Sequence, residues 1–186
     1  DMGIIKDNLT ESKKKIFDAT DKADLVVCTG GMAASRTDNI SNVLKSFGEI
    51  YFWKVAIKPG RPIAFGSINK KPFFGLPGNP VAVIVTFLNF MVEYIYKLSG
   101  RNKFPISYRL IKSGFSFNKK KGRKEWVRGS IVETKNGLEI KKYQKQGSGI
   151  LSSISKTDGI IEIDEDVDLI KKGDILKFFK YEDFLN

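Results

Sequence analysis

Residues 75–81 read Gly-Leu-Pro-Gly-Asn-Pro-Val, and the apolar run AVIVTFLNFMVEYIYKL follows at 82–98. The order of these residue types predicts a strand, a tight loop and a long helix. Asn79 suits the N-cap, where its side chain can accept from an early backbone N–H, and Pro80 suits the first helical position, where a missing N–H costs nothing. Gly75 and Gly78 permit close backbone approach or positive φ. A helix start of this kind can meet an anion, or it can be a plain capped terminus. Asn89, Glu93 and Lys97 recur every four residues in the run. They mark one polar face, which predicts a core helix rather than a membrane span.

Upstream, MGII at 2–5 is expected to be a short strand and residues 11–23 a helix capped by Thr10. DLVVC at 24–28 is expected to be a strand, and 38–47 a helix closed by Gly48. YFWKVAI at 51–57 reads as a strand, and PIAFGSI and PFFGL as two more around the turn INKKP. Strands alternating with helices predict an α/β fold with a largely parallel sheet. After Gly100 short alternating segments and Gly-rich connections take over, with a hairpin signal at Asn136-Gly137. Two domains are therefore expected, an α/β domain over 1–100 and a small all-β domain, a barrel or folded-over sheet, over 101–186. Residue 1 falls at what reads as a strand edge, so the α/β domain is expected to be incomplete at its N-terminus and the chain a piece of a longer one.

The 186 residues are 41% hydrophobic and 28% charged, enough apolar material for real cores. The formal net charge is +11, which favours anionic partners or else a solvated lysine-rich surface. There is no histidine and a single cysteine, Cys28. Imidazole bases, Ser-His and Cys-His nucleophiles, and Cys- or His-rich metal sites are thereby excluded, and so is an internal disulfide. A cytoplasmic setting fits that cysteine usage. The basic cluster KKKGRK at 119–124 has no accompanying RNA-binding motif, so neither nucleic acid nor membrane is expected as a partner.

Four stretches can carry chemistry. TGGM at 29–32 exposes bare amides at Gly30 and Gly31, at the carboxyl edge of a sheet where α/β folds bind ligands. KVAIKPGRP at 54–62, if extended, puts Lys54 and Lys58 on one face roughly 13 Å apart at ~3.3 Å per residue, suited to two ends of a polyanion. Arg61 on the following loop can add a fork-shaped anion clamp. Asp7 and Asp38 fall at loop edges on the same predicted rim, where carboxylates among phosphate binders suggest a bridging Mg²⁺, although each can equally cap a helix. QGSGILSS at 146–153 reads as a corner leading into a short helical turn, and Cys28 as a small buried hydrophobe.

GEIYFWKVAIKPGRPIAFG and FFGLPGNPVAVIVTF closely resemble the molybdopterin molybdenumtransferases, the MoeA family that includes the E domain of gephyrin. DLVVCTGGM with Asp38, GRKEWVRG and QGSGILSSISKTDGIIEI extend the resemblance along almost the whole chain, in order. The resemblance implies a three-layer MogA-like α/β domain followed by a β-barrel domain. It implies an enzyme that inserts molybdate into adenylylated molybdopterin with release of AMP, dependent on Mg²⁺ and working as a homodimer. Matched by position, Asp7 and Asp38 fall on active-site acids and Mg²⁺ ligands, Lys54 and Lys58 on active-site lysines, and Pro77, Gly78, Asn79 and Pro80 on the cleft loop. The family's glycine loop commonly runs GGVSVG before an acid. Here Ala33, Ser35 and Arg36 replace a hydroxyl residue, a glycine and that acid. The family's acidic TGDEL-like strand is missing from this sequence, so the piece alone is expected to be inactive. A gephyrin-like scaffold without catalysis, or a general polyanion binder, are the readings from other classes.

Overall fold

The computed structural model describes residues 1–32, 38–101 and 106–185. In chain order the elements are α1 (Leu9–Thr20), β1 (Val26–Thr29), α2 (Asn39–Phe47), β2 (Gly48–Trp53), β3 (Ile57–Lys58), β4 (Ala64–Ile68), β5 (Lys71–Leu76) and α3 (Pro80–Thr86). A π-helical segment (Phe87–Met91) leads into α4 (Val92–Leu98). Then come β6 (Arg109–Ser113), β7 (Phe117–Asn118), β8 (Lys124–Thr134), β9 (Gly137–Lys142), α5 (Ser152–Ser155), β10 (Gly159–Ile163), β11 (Leu169–Ile170) and β12 (Ile175–Lys180). They form two compact units: residues 1–55 with 60–86, and residues 56–59 with 87–186. The sequence boundary at residue 100 thus lies fourteen residues beyond the structural one at Thr86, and β3 belongs to the second unit.

The first unit holds a four-stranded sheet in the order β1-β5-β4-β2. Only β1 and β5 are parallel; β5–β4 and β4–β2 are antiparallel. The expected largely parallel sheet is corrected here, because β4 and β5 are joined by the two-residue turn Asn69-Lys70. Both turn residues have positive φ, 53° and 61°, the conformation that lets a tight hairpin follow the twist of its strands. Residues 2–5 form no strand, and Ile4 is 90% exposed. The cap of α1 is Asn8 rather than Thr10: its side-chain oxygen accepts from Glu11 N–H at 3.0 Å. In α2, Ile40, Val43 and Leu44 are buried at helical spacing, and Gly48 closes the helix as the sequence predicts. These residues share a core with Ile16, Val26, Met32, Ala64, Ile68 and Phe73.

The expected strand over 51–57 also needs correction. β2 ends at Trp53, and Lys54 turns out of the extended region with φ 65°. Lys54 N–H then bonds to Ile63 O and Val55 N–H to Arg61 O, each at 3.1 Å, so these amides serve a loop closure. Extended pairing resumes only at β3, two residues long, which lies parallel to β8 within the second unit.

In the second unit β10-β12-β6-β9-β8 pair in sequence, and β10 pairs back onto β8, closing a five-stranded barrel with β3 added along β8. β7 and β11 form a separate two-stranded ribbon. The hairpin at Asn136-Gly137 is as predicted, joining β8 to β9 with Gly137 at φ 97°. Ile111, Val127, Ile140, Ile161, Ile163, Leu176 and Phe178 fill the interior. Along the 80–98 helical run Val81, Val85, Leu88 and Met91 are buried while Glu93 and Lys97 pair at 3.1 Å on the exposed side. The run is long and apolar enough to cross a bilayer by length and composition alone, but its one-sided burial is that of an amphipathic core helix.

Candidate active site

Because β1 and β5 are parallel and in register from Val26↔Phe73 to Thr29↔Leu76, the loops leaving them emerge at one edge of the sheet. One is Gly30-Gly31, the other Pro77-Gly78-Asn79 leading into Pro80 at the start of α3. Gly30 and Gly31 have φ of 84° and 65°, values that only glycine takes without strain. Gly30 N–H bonds to Leu76 O at 3.1 Å, tying the two loops at their roots. A methyl group on Gly78 would lie 3.5 Å from the Gly30 Cα, so the loops also touch at their crests. Asn79 O accepts from Val83 N–H at 2.9 Å, which opens the helix.

Beside this edge lies a cavity of about 900 Å³ lined by Asp7, Lys6, Lys15, Gly30, Gly31 and Asn39, among others. Asp7 and the glycine loop, far apart in sequence, thus share one concavity. Asp38 sits one residue before the lining residue Asn39, at the N-cap of α2. Its carbonyl accepts from Asn42 N–H at 3.1 Å and from the Ser41 hydroxyl at 2.9 Å. Cys28, on β1 in the same wall, has its thiol pKa pushed up by burial, as suits an inert packing residue. Ala33, Ser35 and Arg36 lie outside the described residues.

The two lysines are not on one strand face. Lys54 stays in the first unit, its ammonium 4.9 Å from the centre of the Trp53 ring. Lys58 lies on β3 in the second unit, opposite Glu125 of β8, and its Nζ donates to both Glu125 oxygens at 3.1 and 3.2 Å. Arg61 is exposed on the loop that receives Val55 N–H. Among the described residues no group of three or more acids, cysteines or histidines is placed to hold a metal.

Arg128 on β8 falls within GRKEWVRG, but the sequence reading gives it no role. It is only 1% exposed, and no carboxylate lies within ion-pair distance among the described residues. Neutral acceptors hold it instead: Ser153 Oγ at 3.1 Å, Trp126 O at 3.0 Å and Gly147 O at 3.4 Å. Burial pulls its pKa down, partly offset by Tyr181 and Glu125. Gln146 braces the same point, its side chain bonding Arg128 N–H, Arg128 O and Tyr143 O. The QGSGILSS corner is therefore wrapped around a buried cation. Only WVRGS as a barrel strand hinted that Arg128 would face inward, and alternation alone does not single out an arginine.

Residues 1–97 match the family model described as a probable molybdopterin binding domain, and residues 111–181 match the MoeA C-terminal region, domain IV. This chain belongs to the MoeA family. The molybdopterin molybdenumtransferase of Haemophilus influenzae is 34% identical over 177 residues, covering 94% of this chain and 44% of the relative. The molybdenum cofactor synthesis protein cinnamon of Drosophila melanogaster is 33% identical, over 92% and 30% of the two chains. Among solved structures, a molybdopterin biosynthesis MoeA protein of a Pyrococcus species superposes with a TM-score of 0.78 at 27% identity, covering 96% of this chain and 42% of that one. The MoeA-family chain thus spans less than half the length of these relatives. Its two units have the family's fold, a MogA-like α/β domain and a five-stranded barrel domain.

Proposed function

We propose that the protein acts in molybdenum cofactor biosynthesis as a transferase, inserting molybdate into adenylylated molybdopterin with release of AMP. The observation that carries this reading is the junction of the Gly30-Gly31 and Pro77–Pro80 loops at one sheet edge, beside a cavity that also takes in Asp7. Family membership supports the chemistry assigned to it. Backbone amides there suit phosphate and molybdate oxygens, Lys54 and Arg61 of the same unit supply positive charge, and Lys58 is included by its match to a family active-site lysine. Preorganised donors of this kind stabilise developing oxyanion charge better than water does, because they need no reorganisation. Molybdate is itself the incoming group, so no protein nucleophile is required and the absence of histidine is no obstacle.

Mg²⁺ fits the residues as a shared rather than a caged ion. Asp7 makes no ion pair among the described residues and faces the cavity, and one or two carboxylates completed by substrate phosphates is the usual Mg²⁺ set. Asp7 and Asp38 would hold it, and when bound it would neutralise phosphate charge. The full-length protein is expected to work in the cytoplasm as a homodimer.

The test is insertion by the full-length protein, read as molybdenum retained on the pterin and AMP released. Lys54→Ala and Lys58→Ala should each lower the rate by about tenfold or more, the usual scale for an electrostatic group. Full activity in both variants would refute the assignment. Binding of adenylylated molybdopterin with no AMP release at all would favour a scaffold.

A further inference from the structure

Trp53, the last residue of β2, carries two cations. The Lys45 Nζ lies 4.4 Å and the Lys54 Nζ 4.9 Å from its ring centre. The two nitrogens are therefore at most about 9 Å apart, comparable to the ~8 Å Debye length at physiological salt. Both lysines are exposed, and neither forms an ion pair with a carboxylate among the described residues. They reach the ring from different elements: Lys45 from the last turn of α2, Lys54 from the left-handed turn after β2. The indole itself is fixed. It packs against the first unit's core, and its Nε1–H donates to Met32 O at 3.2 Å. Met32 is buried and directly follows the glycine pair that lines the cavity.

An exposed lysine ordinarily samples many rotamers. A tryptophan face attracts an ammonium more strongly than any other side-chain ring, which narrows that sampling. Two ammonium groups on one ring repel each other, and the repulsion is relieved when a polyanion comes between or beside them. The Met32 bond ties the indole that carries the pair to the residue directly after the glycine loop, whose amides the substrate is proposed to use.

We propose that Trp53 is a positioning residue that holds Lys45 and Lys54 as a two-cation clamp beside the glycine loop, and that Lys45 is a further binding residue for the phosphate-bearing substrate. The inference rests on the function proposed above and extends it to Lys45, which carries no motif signal. Full-length protein is titrated with pyrophosphate, and the lysine ε-methylene resonances are followed by NMR. Two of these should be shifted upfield by the indole ring current, return to ordinary positions in Trp53→Leu and stay shifted in Trp53→Phe. Pyrophosphate affinity should fall about five- to tenfold in Trp53→Leu and severalfold in Lys45→Gln, the scale of weakened charge contacts. It should remain within about twofold in Trp53→Phe, which keeps the ring and guards against a folding artefact. Lys45→Gln added to Trp53→Leu should cost little more, since the clamp is already lost. Unchanged affinity in Trp53→Leu or in Lys45→Gln, with wild type binding normally, overturns this inference alone. Failure of the wild type to bind pyrophosphate overturns both it and the proposed function.

Discussion

The Lys58–Glu125 pair allows a prediction whose size follows from its surroundings. The ammonium and carboxylate approach to 3.1 Å, with side-chain exposures of 50% for the lysine and 6% for the glutamate. At that distance, and at an effective dielectric of ~20, opposite unit charges attract by about 5 kcal/mol. Most of this is offset. Half the lysine surface is in water, which screens the pair and leaves its rotamers to be frozen, and the glutamate has given up hydration. A net coupling of about 1–2 kcal/mol remains, between the values typical of exposed and of buried pairs. Lys58→Gln should therefore destabilise the barrel, because it leaves a nearly buried carboxylate with no partner. Glu125→Gln should do so less, and the double variant should cost clearly less than the two singles added. Urea unfolding followed by Trp126 fluorescence, in a Trp53→Phe background so that one tryptophan reports, gives the cycle directly. A coupling below about 0.3 kcal/mol, no larger than ordinary additivity error, would refute the reasoning. The result also bears on activity: a loss of insertion in Lys58→Ala is attributable to lost charge only after the barrel's stability has been accounted for.

Cys28 should react slowly with a thiol reagent at pH 8 in the native protein and quickly after unfolding, as burial raises its pKa above the ordinary 9.0; fast native labelling would contradict this. The same shift has a pH signature: the unfolded thiol ionises first, so its contribution is fully present below about pH 9 and is lost as pH rises through the higher folded value. Wild type should accordingly lose stability relative to Cys28→Ala above pH 9, and a difference that stays flat or reverses would count against the burial. Gly75→Ala should cost about 1–3 kcal/mol, since its methyl would fall 2.6 Å from Met32 Sδ and push the buried methionine into the glycine loop; an unchanged urea midpoint would show that Met32 has room to move. Arg128→Lys should cost about 2–4 kcal/mol by abandoning at least one of three acceptors that a single ammonium cannot span, and a near-neutral result would mean that water reaches the corner.

Legibility in the sequence followed the range of the determining interaction. The α2 helix, its Gly48 stop, the Asn136-Gly137 hairpin and the strand–loop–helix at 75–81 depend on neighbours a few residues away, and all could be read. The β4–β5 turn is also legible at INKKP, and a tight turn there makes the centre of the sheet antiparallel. What failed was non-local. Trp53-Lys54-Val55 reads as strand because nothing nearby shows that the Lys54 and Val55 amides will be taken by Ile63 and Arg61. MGII is apolar enough for a strand, but strand formation needs a partner edge, and in this structure it has none. The glycine loop and the Pro77–Pro80 loop leave one sheet edge because β1 and β5 are parallel, which follows from α/β alternation, whereas Asp7 lines the neighbouring cavity from a segment that is not a strand. The roles of Lys45 and Arg128 are not legible locally, because a ring from another element and a corner from another segment give them their meaning.

Lys58 and Arg128 of the second unit and Lys54 of the first differ in how they are held, and that difference sets what each can offer an anion. Lys58 faces a carboxylate, so much of its field is already cancelled and an arriving oxyanion must compete with Glu125. Arg128 is held by neutral oxygens, so its charge is not cancelled, but it is buried and each guanidinium nitrogen already donates to an acceptor. Its field reaches outward while its hydrogen bonds do not. Lys54 rests on an aromatic face, a partner that orients an ammonium without neutralising it or using its N–H donors. Of the three, Lys54 alone combines exposure, uncancelled charge and free donors. If the protein binds the highly charged substrate proposed for it, then at a net charge of +11 it needs cations that are fixed in place without being paired. An indole with two ammonium groups supplies that, and it puts the greater demand for direct oxyanion contact on Lys54 rather than on Lys58.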